Sequence, residues 1–160
     1  KSVQTVSVPS SIQIGTKTYK VTTISANAFA NCKQLKTVKI GKNVTKVGKN
    51  AFSGCTKLSK VTLPSKLTVI ESGAFANCRS LKSITIPASV KKIGSKAFYK
   101  CKKLKKITIK TSKLKSSTVG KKAFSGVYQK AKVKVPKKKF KAYKKFLKKK
   151  GLPKKATIKK

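Results

Sequence analysis

Four cysteines in a regular series are the most reactive side chains in this sequence. Cys32, Cys55, Cys78 and Cys101 stand 23 residues apart. A zinc site would need such thiolates gathered into a tetrahedron, which a series in line does not provide. A disulfide would need Cβ atoms about 3.5–4.5 Å apart, closer than equivalent positions on neighbouring strands come. We therefore predict that each Cys is a small buried hydrophobe in its own structural unit.

Charge and composition exclude most catalytic chemistry. Among 160 residues, 43 are Lys or Arg and one, Glu71, is acidic, and the absence of His gives a formal net charge of +42. A pair of carboxylates for acid/base work is therefore impossible, and so is a Ser-His-Asp arrangement. Lys and Ser remain, but no motif positions them. We expect a protein that is not an enzyme and that uses no cofactor or metal.

The residues around the cysteines keep the same step. An Ala-Phe pair precedes each Cys, a Leu follows it, and two further aliphatic residues alternate with polar ones. These positions are Phe29, Phe52, Phe75 and Phe98; Leu35, Leu58, Leu81 and Leu104; and Val38/Ile40, Val61/Leu63, Ile84/Ile86 and Ile107/Ile109. A period of about 20–50 residues indicates a solenoid, in which stacked units bury one continuous core.

Each unit is predicted to pair one strand with one short segment. The alternation in L-x-x-V-x-I is typical of a strand with one apolar face. The spacing in A-F-x-x-C favours a short helical or 3₁₀ segment. We expect five turns within 24–136, namely 24–46, 47–69, 70–92, 93–118 and 119–136. The fifth is degenerate, with Val127 in the Cys position and Lys130 in the Leu position.

Both ends are predicted to be caps. In the N-terminal β cap, 1–23, alternating apolar residues indicate one or two strands, and Gly15-Thr16 suits a two-residue turn. In the basic C-terminal segment, 137–160, Phe140, Tyr143, Phe146 and Leu147 fall on one helical face that would cover the last turn. Pro136 suits the start of that helix and Gly151 its end. Residues 156–158 would add a final strand.

The repeat resembles the BspA-like leucine-rich repeats, whose pattern is approximately L-x-x-[IV]-x-[IL]-P-x-x-[VIL]-x-x-I-x-x-x-A-F-x-x-C. The resemblance covers about residues 24–136, and the departures are Lys110, Val127 and Lys130. It implies a right-handed, β-dominated α/β leucine-rich-repeat solenoid with a parallel sheet of one strand per turn and short helical segments on the convex side. It also implies a secreted or bacterial cell-surface protein with a binding or adhesion role. Because the chain does not begin with Met and has no apolar signal region, we expect either a mature product or an excised piece, such as a C-terminal fragment, of a longer protein.

Lysines supply the candidate binding residues. Residues 101–160 hold 25 of the 42 lysines, and charge this dense destabilises the compact state unless an anion binds. The candidates lie on outward strand positions and on the polar side of the helix: Lys39, Lys60, Lys106, Lys132, Lys134, Lys137, Lys138, Lys141, Lys144, Lys145 and Lys148. The alternative interpretation is a solvated face of a compositionally Lys-rich chain.

Three functions fit these residues. The first is a non-catalytic adhesion or interaction module that binds a protein or an anionic polymer, such as teichoic acid or a sulfated host glycan, by diffuse electrostatics. The second is nonspecific nucleic-acid binding, since Lys contacts phosphate but a chain with one Arg is poorly equipped to read bases. The third is membrane binding by the Phe140–Leu147 helix. No apolar run is long enough to span a bilayer, and like charge favours a monomer.

Overall fold

The protein is a solenoid, described by a computed structural model over residues 3–160. Most of its strands are short and lie one above another in successive turns. They are β1 (Thr5–Val8), β2 (Ser11–Ile14), β3 (Lys17–Lys20), β4 (Thr23–Ile24), β5 (Thr37–Ile40), β6 (Lys46–Val47), β7 (Lys60–Thr62), β8 (Val69–Ile70), β9 (Ser83–Ile86), β10 (Lys92–Ile93), β11 (Lys106–Ile109), β12 (Lys132–Lys134) and β13 (Thr157–Lys159). One α-helix, α1, runs from Phe140 to Lys149, and 3₁₀ turns lie at Ser116–Thr118 and Lys137–Lys139.

The L-x-x-V-x-I segments form the main parallel sheet, as predicted. This sheet has two parts, ordered β1-β5-β7 and β9-β11-β12-β13. Alternate residues of each strand, such as Val38 and Ile107, are buried, while their sequence neighbours Lys39 and Lys106 are exposed. The exposed side of the main sheet is called the outer face below. Alternation of period two therefore directs one set of side chains to the core and presents the other to solvent.

The main sheet has one strand per turn, as predicted, but a second series of short strands, which the sequence analysis did not predict, lies beside it. Strands β4, β6, β8 and β10 pair in parallel through the Ile or Val that opens each repeat. An isolated bridge from Ile93 to Val119 continues the series into the fifth turn. These strands are two residues long, too short for alternation to reveal in a sequence.

The A-F-x-x-C segments, called half-turns below, are runs of hydrogen-bonded turns rather than the short helical segments that we predicted. Their phenylalanines form one stack, Phe29–Phe52–Phe75–Phe98–Phe124, with ring centroids 5.1–5.6 Å apart and ring planes within 9° of parallel. Each half-turn also donates backbone bonds to the next, as from the Phe52 amide to the Ala74 carbonyl at 2.8 Å. The 23-residue repeat thus places equivalent phenylalanines and backbone groups of successive half-turns directly above one another.

Two positions in every half-turn take the left-handed backbone conformation. The first series is Asn27, Asn50, Gly73, Lys96 and Lys122, and the second is Asn31, Gly54, Asn77, Lys100 and Gly126. Gly and Asn adopt this conformation readily, whereas a residue with a long side chain is strained in it. The fourth half-turn has Lys at both positions and the fifth at the first of them, in place of Gly or Asn, so these two hold backbone strain that the first three lack.

Replacing Lys122 by Asn is expected to stabilise the protein by about 1 kcal/mol, because Asn relieves the strain at a φ of 55°. The matched control is Lys121→Asn, which removes the same charge from an exposed neighbour that is not among the residues with positive φ. Urea denaturation followed by circular dichroism measures both. Equal gains from the two variants would show that relief of charge repulsion, and not of backbone strain, is responsible.

The C-terminal cap is confirmed. Helix α1 places Tyr143, Phe146 and Leu147 in the core, and the Lys150 carbonyl accepts from the Phe124 amide at 3.1 Å. The Tyr143 hydroxyl donates to the Thr111 carbonyl at 2.8 Å and accepts from the Leu114 amide at 3.2 Å. Burial raises the pKa of this phenol. Because the apolar face of α1 is already packed on the last turn, it is not available for membrane binding in this state.

The N-terminal segment is only partly the cover that we predicted. Strand β1 pairs in register with β5, from Thr5 opposite Thr37 to Val8 opposite Ile40. Strands β2 and β3 form the predicted hairpin around Gly15 and Thr16. However, the apolar residues of this hairpin do not cover the first repeat, since Ile12, Ile14 and Tyr19 are 45%, 62% and 48% exposed.

Candidate polyanion-binding surface

Lysines become immediate neighbours at the C-terminal end of the outer face. Lys106 on β11 lies in register with Lys132 on β12, and Lys134 on β12 with Lys159 on β13. All four are exposed. Adjacent strands are about 4.8 Å apart, so two pairs of ammonium groups project side by side from one surface.

A groove runs between these pairs. Its volume is about 370 Å³, and it is lined by Lys106, Lys132, Lys134, Lys159 and Lys160, together with Ile107, Thr108 and Val133 of the strands beneath them. These five lysines are called the C-terminal lysine face below. Sequence reasoning identified the first three and missed Lys159 and Lys160. The predicted strand at 156–158 contained the missing signal, because its alternation continues to Lys159 in the outward position.

A second basic hollow adjoins this face. It has a volume of about 570 Å³ and is lined by Lys82, Ser83, Lys103, Lys105 and Lys106. Lys106 borders both hollows. The sequence analysis did not identify Lys82, Lys103 and Lys105, because these residues precede strands β9 and β11 and do not occupy outward strand positions.

No side-chain carboxylate neutralises this face. Glu71, the one acidic residue, follows directly after β8. Its carboxylate oxygens lie 3.6 Å from the Lys46 ammonium nitrogen and 3.9 Å from that of Lys92. Like charges directly opposite each other on neighbouring strands are destabilising. An anion seated between the lysine pairs would remove that repulsion, so the face favours an anionic ligand.

The predicted helix lysines divide into two groups. Lys137, Lys138, Lys141, Lys144 and Lys145 are exposed. The ammonium groups of Lys144 and Lys160 lie 5.9 Å and 5.7 Å from the centroid of the Phe140 ring, which brings the helix next to the C-terminal lysine face.

Lys148 has a different role from the one we predicted. Its ammonium group donates to the carbonyl oxygens of Pro153, Lys154 and Ala156 at 2.7–2.8 Å. These bonds use all three of its donors. Lys148 therefore secures the segment after α1 and has no donor left for an external anion.

Lys39 and Lys60 lie apart from the C-terminal lysine face, in the first two turns. Lys39 is in register with Thr62, and Lys60 borders a 320 Å³ cleft between β7 and β9. These two strands are not paired with each other. The amide of Lys82 is 3.5 Å from the Ser59 carbonyl, whereas the equivalent bond one turn later is 2.9 Å. The outer face is thus interrupted between the predicted N-terminal and C-terminal lysines.

The cysteines follow the prediction in three turns and depart from it in one. Cys55, Cys78 and Cys101 are buried, and their thiols donate to the carbonyls of Phe29, Phe52 and Phe75 at 3.0–3.1 Å. Burial raises the pKa of Cys55 to about 11, that of Cys101 to about 12, and that of Cys78 well above its ordinary value. Cys32, by contrast, is exposed, so the prediction that it is buried is wrong.

Within residues 3–160, no three Cys, His, Asp or Glu side chains are grouped so that they could hold a metal ion. The same residues contain no helix with both the length and the apolar composition that crossing a bilayer requires.

The two-stranded turns with stacked half-turns match a known repeat. A sequence model described as the BspA type Leucine rich repeat region matches residues 22–151 in six copies. The chain belongs to this family. The resemblance drawn from Ala-Phe, Cys and Leu spacing is therefore confirmed.

Solved structures of other leucine-rich-repeat proteins show the same fold. A T. pallidum leucine-rich-repeat protein is 33% identical with a TM-score of 0.68, and the match covers 82% of this chain and 58% of that one. A protein from Bacteroides capillosus is 32% identical with a TM-score of 0.59, covering 66% and 75%. The pneumococcal vaccine antigen PcpA, at 16% identity, shares the fold alone, with a TM-score of 0.59 and coverage of 99% and 56%. No curated protein matches the chain significantly.

Membership of the BspA-type family places the chain in a coarse functional class. Repeats of this type are typical of interaction modules in surface-associated bacterial proteins. The chain spans 58% of the length of the T. pallidum protein.

Proposed function

We propose that this chain is a non-catalytic adhesion module, secreted or displayed on a bacterial surface, that binds an anionic polymer through its C-terminal lysine face. The ligand class is a polymer with closely spaced phosphate or sulfate groups, such as wall teichoic acid or a sulfated host glycan. The observation that carries the proposal is the pairing of Lys106 with Lys132 and of Lys134 with Lys159 around one groove that contains no side-chain carboxylate.

The chemistry of the C-terminal lysine face favours ligands with a high density of negative charge and offers little that would distinguish one such ligand from another. Lys presents a compact, strongly hydrated point charge, while the planar fork needed for bidentate contacts belongs to Arg. No aromatic ring lines the groove, so there is no platform for stacking sugars or bases. Binding would be driven by the release of counterions from the polymer, and its affinity would fall steeply with salt.

The test compares two variants of equal net charge. One replaces Lys106, Lys132, Lys134 and Lys159 by Gln, and the control replaces Lys17, Lys20, Lys33 and Lys36, which are exposed near the other end. Affinity for purified teichoic acid and for a sulfated glycan is measured across a range of salt concentrations. The first variant is expected to bind about 10- to 100-fold more weakly and with a shallower salt dependence, because paired contacts are lost. Equal losses in both variants would contradict the proposal.

Duplex DNA, measured in parallel, tests the nucleic-acid alternative. The proposal expects DNA to bind no better than the other polyanions at matched charge density, and to lose its affinity near physiological salt. A preference for DNA that persists there would replace the adhesion proposal with a nucleic-acid function. Helix variants with Gln at Lys141, Lys144 and Lys145 then show whether the lysines around Phe140 belong to the same binding surface.

A further inference from the structure

The first turn has an open side that the other turns lack. Ala51, Ala74, Ala97 and Ala123 are fully buried, and so, to within 1%, are Phe52, Phe75, Phe98 and Phe124. The equivalents in the first turn are different: Ala28 and Cys32 are exposed, and Phe29 is half-buried. The Phe29 ring stacks on Phe52 on one side, and its other side faces a groove.

This groove, called the N-terminal groove below, has a volume of about 240 Å³. It is lined by Val3, Val6, Phe29, Cys32 and Leu35. Val3 is 64% exposed. Strand β1 is in register with β5, so Val3 and Val6 occupy the places that Leu35 and Val38 occupy one turn later. The groove therefore lies where the turn of β1 would carry its own half-turn.

The backbone of the first half-turn has a hydrogen-bond acceptor where a preceding half-turn would pair with it. In each later interface, the amide of one half-turn donates to a carbonyl of the next, as from Phe29 to Ala51, Phe52 to Ala74 and Phe75 to Ala97, all at 2.8 Å. By the same pattern, the Phe amide of an incoming half-turn would donate to the carbonyl of Ala28. Among the described residues, the Ala28 carbonyl accepts no backbone hydrogen bond outside regular secondary structure.

The cysteine series points to the same occupant. In the following turns, each thiol donates to the Phe carbonyl of the half-turn before it, as Cys55 does to Phe29. Cys32 stands in the position from which it would donate to a preceding Phe. A single half-turn of the same repeat would supply a ring to stack on Phe29, an amide to pair with the Ala28 carbonyl, and a Phe carbonyl to accept from the Cys32 thiol.

We propose that the N-terminal groove is a docking site for one Ala-Phe-x-x-Cys half-turn of the same repeat. In register, the Cys position of that half-turn immediately precedes Lys1, because Val3 occupies the Leu position of its turn. Docking extends the Phe stack by one ring, buries Cys32 and completes the turn to which β1 belongs.

The test extends the full chain by one half-turn copied from its own second turn. The sequence of residues 47–54, followed by Ala in the Cys position, is placed ahead of Lys1, so that the extension adds no thiol. Alkylation of Cys32 by a maleimide is followed by mass spectrometry, with buried Cys78 as the internal reference. Because a thiol that becomes buried loses its reactivity, we expect labelling of Cys32 to slow by about tenfold or more.

Two matched variants separate docking from simple shielding by a longer chain. One carries Asp in place of the copied Phe, and the other combines the original extension with Phe29→Ala. Both are expected to leave Cys32 as reactive as in the parent chain. Equal protection by the Phe and Asp extensions, or no protection by either, would overturn the proposal. Protection of Cys32 in an unextended dimer, detected by light scattering, would instead assign the groove to a second copy.

Discussion

Replacing Phe75 by Ala is expected to lower the free energy of unfolding by about 4 kcal/mol, as for other large buried aromatic residues. The Phe75 ring is fully buried, 5.4 Å from Phe52 and 5.5 Å from Phe98, with its plane within 7° of both. Removing it leaves a cavity in the middle of the stack and deprives two rings of a partner. In a solenoid, each interface is shared by only two turns, so the damage cannot be distributed over the whole core.

The matched comparison is Phe29→Ala. Phe29 contacts one ring and is half-buried, so we expect a loss of about 1–2 kcal/mol. Urea denaturation measures both losses, with hydrogen exchange locating the turns that open. If Phe75→Ala does not fold, Phe75→Leu keeps most of the volume and should cost about 1 kcal/mol. Equal losses at Phe29 and Phe75 would contradict the idea that the two-sided stack carries the stability.

The repeat made the main sheet and its outer face predictable, because one unit repeated four times shows which positions face the core. The alternation Val38-Lys39-Ile40 alone assigns one face, and its recurrence at Ile107-Thr108-Ile109 fixes the register between strands. The aromatic stripe of α1 likewise indicated a cap. These features depend on local periodicity, and periodicity is visible in a sequence.

What could not be predicted depends on neighbours that the repeat does not encode. Cys32 occupies the same position in its unit as Cys55, but its exposure is determined by what lies on its other side. The break between β7 and β9 could not be predicted either, because both strands match the repeat pattern. One contributing feature is Pro87, which has no amide hydrogen; Lys110, its equivalent one turn later, donates to Ile86 at 2.9 Å. Pro64 has the same defect, yet β5 and β7 remain paired, so Pro87 alone does not account for the break.

Charge links the fold to the proposed function. With +42 formal charges and one side-chain carboxylate, folding brings mutually repelling groups together, as at Lys106 and Lys132 and at Lys134 and Lys159, which lie in register on neighbouring strands. The stability of the C-terminal cap should therefore rise when a polyanion binds, since a ligand of the folded state stabilises it by mass action. Strand β13 belongs both to the cap and to the proposed binding surface, so the contacts that hold β13 in place also shape the groove.

Lys148 fixes the segment that leads into β13, and Lys148→Met is expected to destabilise the C-terminal cap by about 3 kcal/mol, because hydrogen bonds made by a charged donor are among the stronger ones. The ammonium group joins three carbonyls, of Pro153, Lys154 and Ala156, in the segment between α1 and β13. Its charge also lies in the last turn of α1, where the helix dipole favours a cation. Met keeps the apolar stem and removes all three bonds.

The control is Lys145→Met, which removes one charge from an exposed position of the same helix and should leave stability unchanged or slightly higher. Hydrogen exchange at Thr157–Lys159 is the local readout, since β13 pairs with β12 through these residues. Lys148→Arg is expected to rescue only part of the loss, because a planar guanidinium does not match three carbonyls that converge on one point. If Lys148→Met and Lys145→Met behave alike, the three bonds contribute little, and Lys148 returns to the set of residues that can bind an anion.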